Sequence, residues 1–295
     1  MARITCFGEV LWDVFPTHEK IGGAPLNVAL RLNSFNHEVY MISAIGKDKR
    51  GETLINYITE SGLSKAYVQM NETLETGAVQ VSLNDKGSAS YTIEFPRAWD
   101  AIQFNDDLKA LVLSSDAFVF GSLVARDDTS KKTLFELIEA SQYAIFDLNL
   151  RPPHYTKELL IHLMNKADFI KFNDEELYEV SAYLGSKYLS MEQNIRFISE
   201  VTNTKHICVT KGNHGAVLWY QDTFYYNSGY LVKVKDTVGA GDSFLASLIS
   251  QLLNKVNPQD AINFACAVGA MVAKSEGANP KITLKEIESF MNPES

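Results

Sequence analysis

The chain is poor in cysteine and has no run of apolar residues long enough to cross a bilayer. Its three cysteines, Cys6, Cys208 and Cys266, stand far apart within apolar segments, and its six histidines form no metal-binding spacing. Without a Cys-x-x-Cys or His-x-x-x-His pattern, no zinc site is predicted. Isolated thiols of this kind are typical of buried groups in a reducing compartment. Because no signal peptide or transmembrane segment is recognisable either, we expect a cytoplasmic protein with no membrane partner.

Positive charge is also scarce. The chain has 27 lysine and arginine residues against 36 aspartate and glutamate residues, which gives a net charge of −9. This balance argues against nucleic acid as a partner, and it means that any bound phosphate must be held by local donors. The chain has no Gly-x-Ser-x-Gly nucleophile elbow. No Gly-x-Gly-x-x-Gly turn follows the first predicted strand, which argues against a dinucleotide-dependent oxidoreductase.

What the chain does contain is a regular alternation of strand and helix patterns. Hydrophobic residues make up 46% of it, which is enough for a sizeable core. The alternation predicts an α/β fold with a mostly parallel, helix-covered sheet. No linker or internal repeat interrupts it, so a single domain over residues 1–295 is expected. The predicted strands are 4–10, 39–45, 118–121, 144–148, 168–172 and 206–209, and the predicted helices include 130–140, 157–165, 174–184, 191–201, 244–253 and 261–274.

Residues 77–95 have a different pattern. Val79 and Val81 alternate with Gln80 and Ser82, as in a strand with only one face buried. A second alternating run ends at Phe95, and Asn84-Asp85-Lys86-Gly87 between the two runs has turn chemistry. The segment is therefore predicted to be an antiparallel hairpin, and its place on an α/β body indicates a lid.

The segment Asp236-Thr237-Val238-Gly239-Ala240-Gly241-Asp242-Ser243-Phe244 follows an extended run at 223–234 and precedes an apolar helical run. It is predicted to be a glycine-rich loop that enters a helix. Unpaired N–H groups at a helix start form an anion site, and glycines let a ligand approach the backbone. Asp242 would then be a base beside an anion hole, as phosphoryl transfer to a hydroxyl requires. The alternative is a glycine-rich turn in which Asp242 is only an N-terminal cap.

Other polar residues fall where predicted strands end, and ligands of open parallel sheets bind at that edge. Asp13 follows the first strand as a candidate hydroxyl acceptor or a surface turn residue. Asp147, Asn149 and Arg151 are spaced by two, so an extended chain would place them on one face. Asn173 and Glu176 stand where a strand meets a helix, where a plain N-terminal cap is the alternative. Residues 46–53 imitate a phosphate-binding loop in their glycine spacing, but Glu52 occupies the lysine position, which excludes that motif.

Two segments of the chain resemble the signatures of a known family. Asp236 to Phe244 resembles the C-terminal signature of the PfkB (ribokinase-like) carbohydrate kinases over nine consecutive residues. Gly22-Gly23-Ala24-Pro25-Leu26-Asn27-Val28-Ala29 resembles their N-terminal signature in the form typical of the fructokinase branch. The resemblance implies a ribokinase-like fold and an ATP-dependent sugar kinase, with fructose as the expected acceptor. A kinase for 2-keto-3-deoxygluconate, ribose or another acceptor, and a catalytically silent sugar-binding regulator, are the alternatives.

The resemblance also implies a set of site residues. The lid would form from about 12–21 together with 77–97 and could pair two subunits into a homodimer. The expected cofactors are ATP and Mg²⁺, with K⁺ as a further candidate held near Asp236, Val238 and the loop 275–278. The base would be Asp242, and Gly239, Ala240 and Gly241 would supply the anion hole. The implied sugar-binding residues are Asp13, Gly22, Gly23, Asn27, Arg97 and Arg151, and the implied nucleotide-binding residues are Asn173, Glu176, Thr210, Gly212, Asn263 and Cys266.

Overall fold

The protein is built around a nine-stranded sheet. The computed structural model describes residues 1–83 and 89–292. The strands of this sheet are β1 (Arg3–Phe7), β4 (Glu38–Gly46), β5 (Val68–Asn71), β8 (Ala117–Gly121), β9 (Ala144–Asp147), β10 (Phe169–Asn173), β11 (His206–Thr210), β12 (Ala216–Tyr220) and β13 (Thr223–Asn227). Their order is β13-β12-β11-β10-β9-β8-β1-β4-β5. The pairings from β11 across to β5 are parallel, and β12 and β13 join antiparallel at one edge. The predicted mostly parallel sheet is therefore confirmed.

Helices cover both faces of the sheet. They are α1 (Ala24–Ser34), α2 (Lys49–Glu60), α3 (Asp106–Leu113), α4 (Asp128–Ala140), α5 (Lys157–Met164), α6 (Asp174–Tyr183), α7 (Met191–Thr202), α8 (Ala240–Leu253), α9 (Pro258–Ala273) and α10 (Leu284–Met291). Side chains of one strand alternate between two cores: Phe118 and Phe120 lie in one, and Val119 in the other. Because both faces of the sheet are buried, the sequences of its central strands are continuous apolar runs and do not alternate between apolar and polar residues. Among the described residues, none of the helices is both long and apolar enough to span a membrane.

A second sheet of four strands lies beside the first. Its strands are β2 (Leu11–Val14), β3 (Glu19–Gly22), β6 (Gly77–Leu83) and β7 (Ala89–Ile93), in the order β3-β2-β6-β7. The outer pairings are antiparallel, as expected for a hairpin, whereas β2 runs parallel to β6. Val79 and Val81 are buried and Gln80 is exposed, which confirms the alternation predicted for β6. The predicted turn Asn84-Asp85-Lys86-Gly87 lies outside the described residues.

A buried ion pair joins this second sheet to the body of the protein. The guanidinium of Arg126 donates two hydrogen bonds to Asp100, at 2.7 and 2.8 Å, and a third to the backbone carbonyl of Glu94 just after β7. The ring of Trp99 lies 4.0 Å from the guanidinium carbon of Arg126. The bidentate hydrogen bonds and the contact with the aromatic ring both stabilise the charge of a buried guanidinium. This cluster holds the end of β7, in the second sheet, against the body of the protein.

Some predicted elements differ from the structure. The strand predicted at 4–10 ends at Phe7, because Gly8 turns the chain with a φ of 149° against Pro25, where a Cβ would lie 2.6 Å from Pro25 Cγ. Asp13 therefore lies within lid strand β2 and not after a strand of the main sheet. The extended run predicted at 223–234 ends as a strand at Asn227. The sequence patterns did not predict β5, β12, α3 or α10.

Candidate active site

The start of α8 has the backbone geometry of an anion site. Gly239 has a φ of 74°, and a Cβ there would lie 2.5 Å from the Cβ of Ala278, so the position requires glycine. The N–H of Ala240 is donated to the carbonyl oxygen of Thr237 at 3.2 Å. Gly241 and Asp242 follow in the first turn, where backbone N–H groups have no carbonyl partner within the helix. Of the predicted anion-hole positions, Gly241 is thus freer to receive an anion than Ala240.

Asp242 is the polar centre of the site. Its Oδ2 accepts a hydrogen bond of 2.8 Å from Nδ2 of Asn27 on α1, although the two residues are 215 positions apart in sequence. Burial and the negative charge of Asp147 raise the pKa of Asp242 to about 6, while Asn27, Lys171 and Arg151 act in the opposite direction. A carboxyl group with such a pKa is ionised at neutral pH and is still basic enough to take a proton.

A buried lysine, which the sequence patterns did not single out, lies next to Asp242. Nζ of Lys171 on β10 donates to Oδ1 of Asp147 on β9 at 2.8 Å, and the two residues are only 7% and 5% exposed. Burial opposes the charge of Lys171, but Asp147, Glu176 and Asp242 outweigh it and raise its pKa to about 12. Nζ also lies 3.9 Å from the position that a Cβ of Gly241 would take, beside the start of α8. The available sequence signal was a lysine inside the apolar strand Phe169–Asn173.

Glu9 is a second residue that the sequence analysis missed. It is 4% exposed, and its Oε2 has no hydrogen-bond partner among the described residues. Burial raises the pKa of Glu9 to about 7, and the negative charge of Asp242 acts in the same direction. Together with Asp147 and Asn149 it lines a small cavity beside the start of α1. The sequence signal for Glu9 was a glutamate near the end of the first predicted strand. Asp13, just after that strand, was the residue predicted to bind a hydroxyl group.

The paired glycines bring the lid against α1. A Cβ on Gly22 would lie 2.6 Å from Oδ2 of Asp13, and a Cβ on Gly23, with a φ of 114°, would lie 2.4 Å from the carbonyl oxygen of Glu9. Burial raises the pKa of Asp13 to about 6, while the nearby charges of Arg151 and Lys20 lower it. Asp13, Gly22, Gly23 and Asn27 are therefore gathered at one place, between the lid and Asp242.

The segment after β9 does not follow the extended path predicted for it. Asn149 has a φ of 42°, so the chain turns there, and Asp147, Asn149 and Arg151 do not share the face of a strand. Arg151 is exposed and nevertheless acts electrostatically on Asp13 and Asp242. The prediction of one common face was wrong because an asparagine in the left-handed region breaks the alternation. The structure still places Arg151 near the predicted sugar-binding residues.

Arg97 lies at the end of the lid and is engaged elsewhere. Its guanidinium forms ion pairs with Glu75 and Glu94, and its backbone N–H is donated to Asp100. Within the described residues, none of its hydrogen bonds or ion pairs is with Asp13, Asn27 or Asp242. The structure therefore does not bring Arg97 together with the other predicted sugar-binding residues.

Asn173 and Thr210, two of the predicted nucleotide-binding residues, lie at the carboxyl ends of β10 and β11, where they are paired in register. Asn173 and Glu176 form a capping box at the start of α6, so the simpler alternative describes their contacts here. A second oxygen of Glu176 accepts from the N–H of Leu150.

Gly212 has a φ of 55° in the short turn after β11. The adenine-binding role inferred for Asn263 and Cys266 stays a prediction: Asn263 accepts from Asn227 and Gln259, and Cys266 is buried on α9.

The candidate cation loop is assembled by Asp236. Its Oδ1 accepts from the N–H of Val238 at 3.0 Å and its Oδ2 from the N–H of Gly277 at 3.2 Å, so the two predicted segments lie side by side. No cluster of three or more histidine, cysteine, aspartate or glutamate side chains suited to a metal occurs in the described parts of the chain. Each carboxylate oxygen of Asp236 accepts one backbone N–H, and Nζ of Lys20 lies 3.9 Å from Oδ2. The role of this loop in holding K⁺ stays a prediction.

A phosphotransferase that acts on an alcohol group of a small molecule needs a carboxylate beside an anion site, and the first turn of α8 offers both. The family model described as "pfkB family carbohydrate kinase" matches residues 2–284. The chain belongs to that family, and it is a sugar kinase.

Relatives and solved structures agree with this assignment. The probable chloroplastic fructokinase-6 of Arabidopsis thaliana is 26% identical, over 96% of this chain and 80% of its own length. The fructokinase of Salmonella typhimurium is 25% identical, over 94% of this chain and 95% of its own length. Three solved structures have the same fold. A fructokinase of Xylella fastidiosa with bound ATP has a TM-score of 0.88 at 23% identity and covers 99% of this chain and 98% of its own.

The other two structures are a fructokinase and a riboside kinase. A Vibrio cholerae fructokinase double mutant with fructose, ADP and a potassium ion has a TM-score of 0.84 at 22% identity, covering 99% of each chain. The aminoimidazole riboside kinase of Salmonella enterica has a TM-score of 0.82 at 21% identity, covering 98% of this chain and 100% of its own. At these identities the structural likeness establishes the fold, and both acceptors occur on it.

Proposed function

We propose that the protein is an ATP-dependent fructokinase in which Asp242 is the general base. The observation that carries the proposal is the position of Asp242, at the first turn of α8 and hydrogen-bonded to Asn27 at 2.8 Å. The position supports the proposal because a proton acceptor here would lie beside an anion site and beside the lid residues. A kinase that phosphorylates an alcohol needs both in one place.

The proposed transfer is an in-line displacement. The primary hydroxyl of the sugar gives its proton to Asp242 while its oxygen forms a bond to the γ-phosphorus of ATP. The bond from that phosphorus to the bridging oxygen of the β-phosphate breaks, and ADP leaves. Backbone N–H groups at the start of α8, together with the positive charge of Lys171, stabilise the charge that develops on the transferred phosphoryl group.

The sugar is proposed to lie between lid and sheet, on Asp13, Gly23 and Asn27, with Arg151 at its edge. ATP is proposed to lie across the ends of β10 and β11, near Thr210, Gly212 and Cys266. When it is bound, Mg²⁺ neutralises charge on the phosphates. Because Asp147 is paired with Lys171 and Glu176 accepts from backbone N–H groups, Mg²⁺ would be bound mostly by ATP oxygens and water.

The choice of fructose depends on similarity in sequence. Both curated relatives described above carry fructokinase names, and the Gly-Gly-Ala-Pro-x-Asn form of the first signature is typical of that branch. The likeness to an aminoimidazole riboside kinase keeps a riboside acceptor as the second candidate. Asp13, Gly23 and Asn27 would serve either acceptor, because each presents hydroxyl groups to be hydrogen-bonded.

Sugar-dependent release of ADP from Mg-ATP tests the proposal. The acceptors to compare are fructose, ribose, 2-keto-3-deoxygluconate, tagatose, adenosine and aminoimidazole riboside. We expect turnover with fructose at a kcat/KM at least tenfold above that of the others. Preference for another acceptor would retain the mechanism and replace the substrate. ATP binding without ADP release in the presence of any of them would favour a silent sugar-binding regulator.

The pH dependence of turnover follows from the three carboxyl groups around the sugar. The pKa values of Asp13 and Asp242 are raised to about 6 and that of Glu9 to about 7. A base must be deprotonated, so kcat/KM should fall as the pH is lowered through about 6, and not through the usual range of a free aspartate near 4. Because the groups interact, this acid limb belongs to the cluster as a whole. Initial rates between pH 4.5 and 9 measure it, and a flat profile down to pH 4.5 would contradict the assignment of the base.

The monovalent cation and the homodimer stay predictions with simple tests. Turnover that rises when choline chloride is replaced by potassium chloride would support a K⁺ site at Asp236 and the loop 275–278. The lid strands β3 and β7 lie at the edges of their sheet, so either one offers unpaired backbone groups to a second lid. A monomer mass that does not change with protein concentration would contradict the dimer.

A further inference from the structure

Asn279 lies where the chain returns to the active site after the loop 275–278. Its Nδ2 donates to Oδ1 of Asn27 at 2.8 Å, and Nδ2 of Asn27 donates to Oδ2 of Asp242 at 2.8 Å. The three residues belong to three different segments, and 252 positions separate Asn279 from Asn27. A chain of directed hydrogen bonds thus runs from a surface loop to the proposed base.

The direction of these bonds follows from the chemistry of the groups. An ionised carboxylate only accepts hydrogen bonds, so the NH₂ group of Asn27 must face Asp242. The carbonyl oxygen of the same amide must then face Asn279, which has to supply a donor. If the amide of Asn27 were flipped, its oxygen would lie against Asp242, and two acceptors would meet in a buried place. Asn27 is 4% exposed, so water cannot readily correct such a mismatch.

A second pair of contacts holds the same three segments one turn further along α1. Nε of Arg31 donates to Oγ of Ser243 at 3.2 Å, and its Nη2 donates to the carbonyl oxygen of Pro280 at 3.0 Å. Asn27 and Arg31 are four residues apart and therefore share a helix face. Each of them bridges the start of α8 and the segment 279–280. The backbone around Asn279 is thus held by other contacts as well. A variant at 279 removes the Nδ2 donor to Asn27 together with an Oδ1 that is buried and has no hydrogen-bond partner among the described residues.

We propose that Asn279 is a positioning residue for phosphoryl transfer, which holds the amide of Asn27 in the orientation that donates to Asp242. This inference rests on the proposed role of Asp242 as the base. Asn279 lies outside the two signature motifs, and it would join Asn27 in orienting the carboxylate of Asp242.

Several charged groups act on Asp242. Asp147 from β9 raises its pKa, and Lys171 from β10 and Arg151 from the loop after β9 lower it. Glu9, beside the start of α1, is coupled to it as a like charge. None of these groups changes when Asn279 is replaced by alanine, whereas Asn279→Asp adds a further negative charge. The hydrogen bond from Asn27 is the contribution that is lost, and its loss moves the pKa of Asp242 upward.

The experiment compares Asn279→Ala and Asn279→Asp with Lys281→Ala, a control at an exposed position two residues further along the same segment. The readouts are kcat, the KM values for the sugar that supports turnover and for ATP, and the acid limb of kcat/KM. We expect Asn279→Ala to lower kcat by about tenfold, the equivalent of one lost hydrogen bond near a charge, and to shift the acid limb to higher pH. Asn279→Asp should lower kcat further, because it offers Asn27 an acceptor and favours the flipped amide. The KM for ATP should stay close to that of the wild type.

Two results would overturn the inference. One is an unchanged kcat and acid limb in both variants. The other is a lower kcat with an unchanged acid limb and a lower thermal midpoint, which would show a structural role only. If Asn279→Ala does not fold, Asn279→Leu, which is similar in size and brings neither a donor nor a charge, still decides the question. Asp242→Asn separates this inference from the proposed function: full turnover in that variant removes the base, whereas an inactive Asp242→Asn beside normal Asn279 variants removes only the role of Asn279.

Discussion

Asp242→Asn should lower kcat by about 10²- to 10⁴-fold, the range that general-base catalysis contributes. An amide cannot take the proton of the attacking hydroxyl, so the oxygen must attack the γ-phosphorus without that assistance. The substitution keeps the shape of the side chain and one acceptor for the 2.8 Å bond from Asn27. Binding of the sugar should therefore survive, and the loss should fall on kcat rather than on KM.

Single-turnover and steady-state rates at pH 8, together with equilibrium binding of the sugar, measure this effect. Asp106→Asn is a suitable control, because Asp106 also lies in the first turn of a helix, α3, but is exposed. Burial raises the pKa of Asp242, so a neutral asparagine removes a cost in the folded protein at pH 8, and the thermal midpoint should not fall. Turnover of Asp242→Asn within a factor of three of the wild type would mean that another group accepts the proton.

Much of the fold could be predicted because its strongest local signals agree with each other. The apolar runs at β1, β4, β8, β9, β10 and β11 are long enough to recognise, and glycine-rich turns follow several of them. Strand β5, with the sequence Val68-Gln69-Met70-Asn71, has no apolar run and is mostly half-buried, so no periodicity marks it. The boundary at Phe7 was missed because the turn at Gly8 depends on contact with Pro25, which lies on another element.

The site could be predicted only where a residue carries its own sequence signal. Asp242, Gly239 and Asn27 belong to motifs, and the structure brings them together. Lys171 and Asn279 are hydrogen-bonded to residues distant in sequence, and Glu9 lies near the distant Asp242. No local pattern reveals such a pairing. Arg97 shows the opposite case: its position at the end of the lid suggested a ligand-binding role, but Glu75 and Glu94 occupy its guanidinium.

Lys171 should be among the most costly polar side chains to remove. In Lys171→Met the carboxylate of Asp147 would remain buried without its partner, close to Asp242 and Glu176. Deleting one member of a buried ion pair typically costs about 3–5 kcal/mol of unfolding free energy, because an uncompensated charge is left behind. The pKa of Lys171 is raised to about 12 from its usual value of 10.5, so its contribution is complete below pH 10.5 and is lost only as the pH rises through 12. Lys171 itself therefore keeps its charge between pH 6 and 9.

Urea unfolding at pH 7 measures the effect, and Lys166→Met is the matched control. Lys166 pairs with Glu139 at 2.6 Å, but these side chains are 41% and 62% exposed, so its removal should cost no more than about 1 kcal/mol. Equal losses of unfolding free energy in the two variants would show that the Lys171–Asp147 pair stabilises the fold no more than a surface pair does.

The double variant Lys171→Met/Asp147→Asn separates stability from function. It removes both charges, so it should recover most of the lost unfolding free energy, as replaced buried ion pairs commonly do. Turnover should nevertheless stay low, because Nζ of Lys171 lies beside Gly241, where the transferred phosphoryl group is proposed to bind. A stable but slow double variant would mean that the pair is kept for the charge it presents to the phosphates. A stable double variant with normal turnover would assign the pair to the fold alone and leave the backbone of α8 as the anion site.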